Sequence, residues 1–240
     1  MIGTIETERR SVQPKPVPPV ESRPVSASPV LWTFLTEWEV ALCDETKKRL
    51  RPYFTKVINT AGSPETEERR SWMLRDWVIR EFVPAWLDAA GLITHAGMIR
   101  NSPEVVSEAG IPIADLERAR IAARGAWNMA WSKANGRIGN AVYDSSLSVS
   151  KSVADAFAKA GIKAAVRASL FNVYWSLSKD AAGAVVWSAA MDWRANSPWP
   201  SAKDAEAAGR DALIPAIILL QESAFHLLDR MMMVNGTEGR

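Results

Sequence analysis

The stretch RARIAARGAWNMAWSKA, from Arg118 to Ala134, decides the fold class of this chain of 240 residues. Alanine, arginine and lysine favour helix, and the stretch lacks the alternation of β-branched and aromatic residues that is typical of strands. No proline occurs between Pro112 and Pro198. We therefore predict an all-α protein that is helical from Ala114 to Asn196.

That interval cannot be one helix, because at 1.5 Å per residue it would be about 120 Å long. Glycine and asparagine mark the expected breaks. The first is the NGRIGN cluster at residues 135–140, followed by Gly161 and then Gly183.

Small residues recur four positions apart in this region, in the sets Ala122, Ala126, Ala130 and Ala134, then Ala154 and Ala158, then Ala160, Ala164 and Ala168. A step of four residues drifts about 40° around a helix, so the small stripe winds around the axis. Neighbouring helices can then approach on more than one side. We predict a multi-helix array of antiparallel hairpins whose gaps are filled by Trp127, Trp131, Trp175, Trp187 and Trp193.

Helix start signals flank this region. SPETEE from Ser63 supplies an N-cap serine, a proline at the first helical position and acidic residues in the first turn. The helix should run to Ala90, stop at Gly91 and be kinked by Pro84.

Two further segments carry the same kind of start. SPEVVSEAG from Ser102 predicts one short helix that ends at Gly110. SAKDAEAAGRDALI from Ser201 opens a helix through Met233 that is kinked by Pro215 and closed by Asn235 and Gly236.

Six prolines between residues 11 and 29 favour an extended or disordered arm. We predict a disordered proline-rich arm over residues 1–29 and a single all-helical domain over residues 30–236. Within the domain, residues 30–111 form the N-terminal helices, 112–197 the basic region rich in alanine and tryptophan, and 198–236 the C-terminal helix.

Composition is that of a soluble globular protein, with 48% hydrophobic and 23% charged residues. The lone Cys43 cannot form an intramolecular disulfide, which favours a reducing cell interior. The apolar runs at Ala181 to Met191 and Ala212 to Leu220 are shorter than the roughly 20 residues that cross a bilayer. We expect a cytoplasmic protein with no membrane span.

Two segments resemble a known family. RRSWMLRDWVIREFVPAWLDAAGLITHA, Arg69 to Ala96, resembles the opening of an uncharacterised helical family of bacteriophages and prophages that is rich in alanine and tryptophan. ALIPAIILLQESAFHLLDRMM, Ala212 to Met232, resembles its closing segment. The middle departs from the alanine repeat of the family, as in DSSLSVSKSV, so the repeat is degenerate. The resemblance implies a phage origin and an all-helical fold, and it supplies no site.

Charge is concentrated in the middle of the chain. Residues 118–179 hold ten basic and two acidic residues, a charge of +8, whereas the whole chain sums to +2, so the remainder holds −6. Basic residues four apart share a helix face. The candidate partner-binding residues are Arg120, Arg124, Lys133, Arg137, Lys151, Lys159, Lys163 and Arg167. The alternative is a solvated face that acidic flanking helices neutralise.

Signals for chemistry are sparse. With only His95, His226 and Cys43, no Cys/His zinc cluster can be built. Glu222, His226 and Asp229 share one helix face, but ordinary pairing with Arg230 explains that set better. The sequence offers no G-x-S-x-G elbow and no glycine-rich phosphate loop. We expect no catalytic residue, no cofactor and no metal site.

The leading hypothesis is therefore a non-catalytic helical interaction protein that binds a host or phage protein through tryptophan and arginine. The first alternative is a nucleic-acid-binding accessory protein that uses the basic region 118–179. The second is an enzyme with carboxylates on facing helices. The sequence gives no indication of the oligomeric state.

Overall fold

Every regular element of the described residues is helical. The computed structural model describes residues 23–41, 44–134, 168–196 and 202–234, and no strand occurs in these ranges. The prediction of an all-α fold is confirmed. The elements are α1 (Pro29–Ala41), α2 (Asp44–Lys56), α3 (Pro64–Trp77), a π-helical turn (Val78–Phe82), α4 (Val83–Ala89), α5 (Ile93–Arg100), a 3₁₀ turn (Glu108–Gly110), α6 (Ile113–Ala134), α7 (Ala168–Asn196) and α8 (Ala202–Met233).

The helix predicted from Ser63 to Ala90 is present as α3, the π turn and α4. The Ser63 hydroxyl accepts a hydrogen bond from the Thr66 N–H, and Gly91 has the positive φ of 74° that favours glycine after a helix. The distortion expected at Pro84 takes the form of the π turn, in which the Val83 N–H bonds to the carbonyl of Val78. Proline lacks an N–H and crowds the preceding turn, so a wider turn accommodates it.

The short helix predicted from Ser102 to Gly110 is wrong. Only Glu108–Gly110 form a single 3₁₀ turn, and the residues before it are irregular. The buried Val105 donates its backbone N–H to Asp76 Oδ1 at 2.9 Å. A helix ladder would compete for that N–H, and a β-branched pair at residues 105 and 106 gives helix little local support. The segment is therefore tied to α3 as a non-helical wall.

The C-terminal helix predicted from Ser201 is confirmed as α8, with Pro215 inside it. Its last carbonyl groups bind a buried arginine: Arg70 donates from Nε to Met231 O at 3.0 Å and from Nη2 to Val234 O at 2.9 Å. A side-chain cation thus satisfies acceptors that helix ends leave open. The predicted closing residues Asn235 and Gly236 lie outside the described residues.

Folded structure begins before the boundary expected at residue 29. Ala27 and Ser28 are buried, and Ser28 Oγ donates to Glu67 Oε2 at 2.6 Å. Glu67 also accepts from Arg70 Nη1 at 2.6 Å, so this segment is joined to the arginine that caps α8. The rest of the predicted arm, residues 1–22, lies outside the described residues.

A large apolar core joins most of these helices. Its largest fully buried side chains include Trp38 from α1, Trp77 from α3 and Trp86 from α4. Phe34 meets the Trp77 ring edge-on at 6.1 Å, and Trp38 packs against Phe225 of α8 at 4.8 Å. Aromatic residues bury the most apolar area per side chain, so this contact set carries much of the stabilisation.

Helices α6 and α7, which residues 135–167 separate in the chain, run parallel. Arg124 pairs with Asp180, Trp127 lies against Gly183, and Ala130 shares a cluster with Trp187, so residue numbers rise together along both helices. Helices α7 and α8 do form an antiparallel pair, in which Gly209 lies against Val186.

The predicted break at Gly183 is absent, because this glycine lies inside the unbroken helix α7. A Cβ built there would lie 2.6 Å from Trp127 Cδ1. Glycine thus allows the indole ring to approach the helix backbone. The breaks predicted at residues 135–140 and at Gly161 lie outside the described residues.

Candidate protein-binding surface

The seam between α6 and α7 is built from small side chains, in a different register from the predicted stripe. Leu116, Ala119, Ala123 and Ala130 are buried, whereas Ala122 and Ala126 are only half-buried. Spacings of three, four and seven residues keep one face directed at a neighbouring helix, whereas a strict step of four drifts away from it. The close approach predicted from alanine is present, on the stripe that starts at Leu116.

Towards the C-terminal ends of α6 and α7 lies a small apolar cluster that is separate from the main core. Ala130, Trp187 and Ala190 are buried in it, and Trp127, Trp131 and Met191 are half-buried at its rim. The Trp127 and Trp131 rings are stacked, with centroids 6.1 Å apart and planes 10° apart. Their polarisable faces are thus held in a fixed orientation beside solvent.

An arginine extends this aromatic pair. The Arg124 guanidinium carbon lies 5.4 Å from the Trp127 ring centroid, within cation–π range. Arg124 Nε lies 3.0 Å from Asp180 Oδ2. We call the set Arg124, Trp127, Trp131 and Met191 the distal surface.

The carboxylate that fixes Arg124 is buried, since the Asp180 side chain is only 3% exposed whereas that of Arg124 is 49% exposed. Burial raises the pKa of Asp180, and the charges of Arg124, Lys179 and Arg120 oppose the shift. Arg124 therefore has one edge held by a buried anion and another open to solvent, which limits its rotamers without hiding its charge.

Of the eight basic residues predicted to bind a partner, three are described. Arg120 and Arg124 are four residues apart and lie on one face, at the edge of the distal surface. Arg120 Nε pairs with Glu117 Oε2 at 2.8 Å. Lys133 is exposed but lies nine residues from Arg124, about half a turn around the helix, so the structure does not bring it to the same patch.

The other five predicted residues lie outside the described ranges: Arg137, Lys151, Lys159, Lys163 and Arg167. On α6, Arg118 is also paired, with Asp115. The three arginines Arg118, Arg120 and Arg124 are therefore each paired with a carboxylate of α6 or α7.

The possible metal-ligand set on α8 is engaged elsewhere. Glu222 accepts two hydrogen bonds from Arg49 of α2, at 2.6 and 3.0 Å, and Asp229 accepts one from Tyr53 at 3.1 Å. The sequence analysis expected Arg230 to pair with these carboxylates, whereas their partners in the structure are Arg49 and Tyr53 of α2. Within the described ranges, no group of His, Cys, Asp and Glu side chains could hold a metal ion.

Helix α8 contains one section, Ala207–Met233, that is long and apolar enough to cross a bilayer, with a mean hydropathy of 1.4. A core helix meets the same criterion. This helix contributes Leu213, Leu220, Leu227 and Leu228 to the main core, and 39% of its most apolar window is buried in the protein.

Sequence reasoning found the tryptophans of the distal surface but missed Met191. Its signal was the spacing, because Met191 follows Trp187 by four residues and so shares its face. Comparison of the chain with profiles of protein families, with curated proteins and with solved structures finds no match.

Proposed function

We propose that this chain is a non-catalytic helical interaction protein, which binds a host or phage protein through the distal surface. The observation that carries the proposal is the stacked pair of half-buried tryptophans at the rim of a cluster separate from the main core. Tryptophan and arginine dominate binding energy at protein interfaces, and methionine is also enriched there.

Preorganisation strengthens this proposal. The Trp127 ring is seated against Gly183 and stacked on Trp131, while Arg124 is held by the buried Asp180. Side chains that are ordered before binding lose less conformational entropy when a partner docks. The phage or prophage origin and the host cytoplasm belong to this proposal through the resemblance of the two terminal segments.

The nucleic-acid alternative receives no specific support from the described residues. Arg118, Arg120 and Arg124 each have a carboxylate partner, which reduces the positive field that a phosphate backbone would meet. Its own test is a DNA-binding assay, in which affinity should fall steeply between about 50 and 200 mM salt.

The enzyme alternative likewise receives no specific support. Asp76 and Asp180 are buried, but Asp76 pairs with Arg80 and Asp180 with Arg124. Asp76 lies on α3 and Asp180 on α7. An open cleft lies between α3 and the irregular segment that follows α5, and neither aspartate lines it.

Site-specific photocrosslinking in the host cell tests the proposed function. A photoreactive phenylalanine is placed at Asn128, which is exposed and lies beside Arg124 on the helix surface. The matched control position is Met129, which is 65% exposed on another face of α6. We expect a discrete protein adduct from position 128, and at least about tenfold less adduct from position 129 or after Trp131→Ala.

Trp131→Ala must retain the wild-type helical content for this comparison, which circular dichroism checks. Equal adducts from positions 128 and 129, or an adduct that survives Trp131→Ala, would exclude the distal surface as the docking site.

A further inference from the structure

A concave surface that shares no residue with the distal surface lies between α3 and the irregular segment that follows α5. It is an open cleft of about 480 Å³, which is within the size range of ligand pockets. Glu65, Glu68 and Arg69 line it from α3, together with Trp72, while Glu104 and Val106 line it from the facing segment.

Charge in this cleft is negative. Three carboxylates and one arginine give a sum of −2, in a chain whose total is +2. The Ser63 hydroxyl lowers the pKa of Glu65 through a hydrogen bond, which favours the charged form of this carboxylate. A cationic ligand is therefore the one that this lining attracts.

The cleft also has apolar surface. Trp72 is half-buried and has the Arg75 guanidinium over its ring at 4.4 Å, which orients the indole. Val106 is 64% exposed on the other side. A ligand that matches both features carries apolar groups as well as positive charge.

The wall formed by the irregular segment is fixed and presents backbone groups. Asp76 accepts the Val105 N–H at 2.9 Å and is itself held by two hydrogen bonds from Arg80, at 2.6 and 2.7 Å. In the part of the chain that the structure describes, the N–H and C=O groups of Glu104 and Val106 form no hydrogen bond. A bound peptide backbone can pair with such groups, as in recognition of extended segments.

We infer that this cleft binds an extended, cationic segment of a partner protein, in which lysine or arginine alternates with apolar residues. The basic side chains face Glu65, Glu68 and Glu104, and an apolar side chain packs between Trp72 and Val106. This site shares no residue with the distal surface, so its test is independent of the test of the proposed function.

The test uses fluorescence polarisation of the full chain with a labelled peptide of sequence KVKVKVK, at low and physiological salt. Two probes are compared with it: KSKSKSK, which has the same charge without apolar groups, and spermine as a competitor. We expect saturable binding of KVKVKVK that is at least about tenfold tighter than that of KSKSKSK, and weak competition by spermine.

Two variants with the same change in net charge identify the site. E65Q/E68Q/E104Q removes the carboxylates of the cleft, whereas D192N/D204N/D211N removes three exposed carboxylates on α7 and α8. We expect the first to weaken KVKVKVK binding at least about tenfold and the second less than about twofold. E104Q alone, outside any helix, serves as the variant with the least effect on folding and should weaken binding by a smaller factor.

Several results would overturn the inference. Equal weakening by both triple variants would mean that only the overall charge matters. Equal affinity for KVKVKVK and KSKSKSK, or full competition by spermine, would reduce the cleft to an acidic patch. Absence of saturable binding would remove the site.

Discussion

Three residues at the seam of α6 and α7 govern its stability: the buried Asp180, its partner Arg124, and Gly183, which lies against Trp127. Burial raises the pKa of Asp180, so between the ordinary aspartate pKa and the raised one the folded state holds more protons than the unfolded state. The free energy of unfolding therefore falls as pH rises through that window. Arg124 limits this loss by pairing with the ionised carboxylate at 3.0 Å.

Arg124→Ala tests that account. At neutral pH we expect the free energy of unfolding to fall by about 1–3 kcal/mol, because a buried carboxylate loses its nearest cation. The loss should disappear below the ordinary aspartate pKa, where Asp180 is protonated in both states. Urea denaturation across this pH range measures it.

Arg118→Ala is the control for Arg124→Ala, since Arg118 is exposed, pairs with Asp115 and is not one of the cations that act on the pKa of Asp180. It should change the stability by no more than about 0.5 kcal/mol at any pH. A pH-independent loss in Arg124→Ala would show that packing on Trp127, rather than the charge on Asp180, is what Arg124 contributes.

Gly183→Ala tests the close approach of the indole to α7. A Cβ at residue 183 would lie 2.6 Å from Trp127 Cδ1, so the ring must move, and we expect destabilisation by about 1–3 kcal/mol. Gly125→Ala is the matched control on α6, where a Cβ would meet nothing within 4 Å. It should stabilise by about 0.4–1 kcal/mol through helix propensity.

Thermal or urea unfolding of the two alanine variants gives the comparison, and tryptophan fluorescence reports the position of the ring. Similar stabilisation in both variants would show that Trp127 repacks without cost.

At the scale of helices, the sequence predicted the capping residues and the glycine that ends a helix. It did not predict contacts between residues that are distant in the chain. The helical segment from α3 to α4 begins after Ser63 and ends before Gly91 as predicted, because each of these residues acts on its own helix end. The segment from Ser102 carries the same start signal but is irregular, because Asp76, 29 residues earlier, accepts the Val105 N–H. Propensity describes a segment alone, and a buried acceptor elsewhere overrides it.

The relation between α6 and α7 shows the same limit. Alanine content predicted a close approach, whereas the buried stripe that starts at Leu116 became visible only from the burial of Ala119, Ala123 and Ala130. For the candidate site, residue types identified Trp127, Trp131 and Arg124, but spacing alone could not show that Arg120 and Arg124 face carboxylates.

Asp76→Ala and Asp76→Asn test how the irregular segment is held. Alanine removes the acceptor for Val105 N–H and the partner of Arg80, so we expect a loss of about 3–5 kcal/mol. Asparagine retains an acceptor oxygen and should lose less, about 1–2 kcal/mol. Limited proteolysis should cut residues 103–107 faster in the alanine variant.

Asp88→Ala is the control, because its ion pair with Arg100 is exposed and should be worth no more than about 1 kcal/mol. Equal losses in Asp76→Asn and Asp76→Ala would show that the hydrogen bond to Val105 contributes nothing.

Across the whole molecule, apolar contacts divide into two unequal parts. The main core joins α1 to α8 through Trp38, Trp77 and Trp86, whereas the cluster around Trp187 contains only Ala130 and Ala190 as further buried members. Regions with few buried apolar contacts open at lower free energy than the global unfolding transition. The surface proposed to bind a partner therefore lies on the part of the described structure with the smaller core.

Hydrogen exchange with mass spectrometry should resolve the two parts. We expect amides of residues 127–134 and 184–192 to exchange by local opening, at rates faster than those of α3 and α4. Trp187→Phe removes apolar volume from the small cluster and should accelerate exchange only there, whereas Trp77→Phe in the main core should accelerate it throughout the described helices. Acceleration of α3 and α4 by Trp187→Phe would contradict this division, because it would mean that the distal cluster opens only when the main core does.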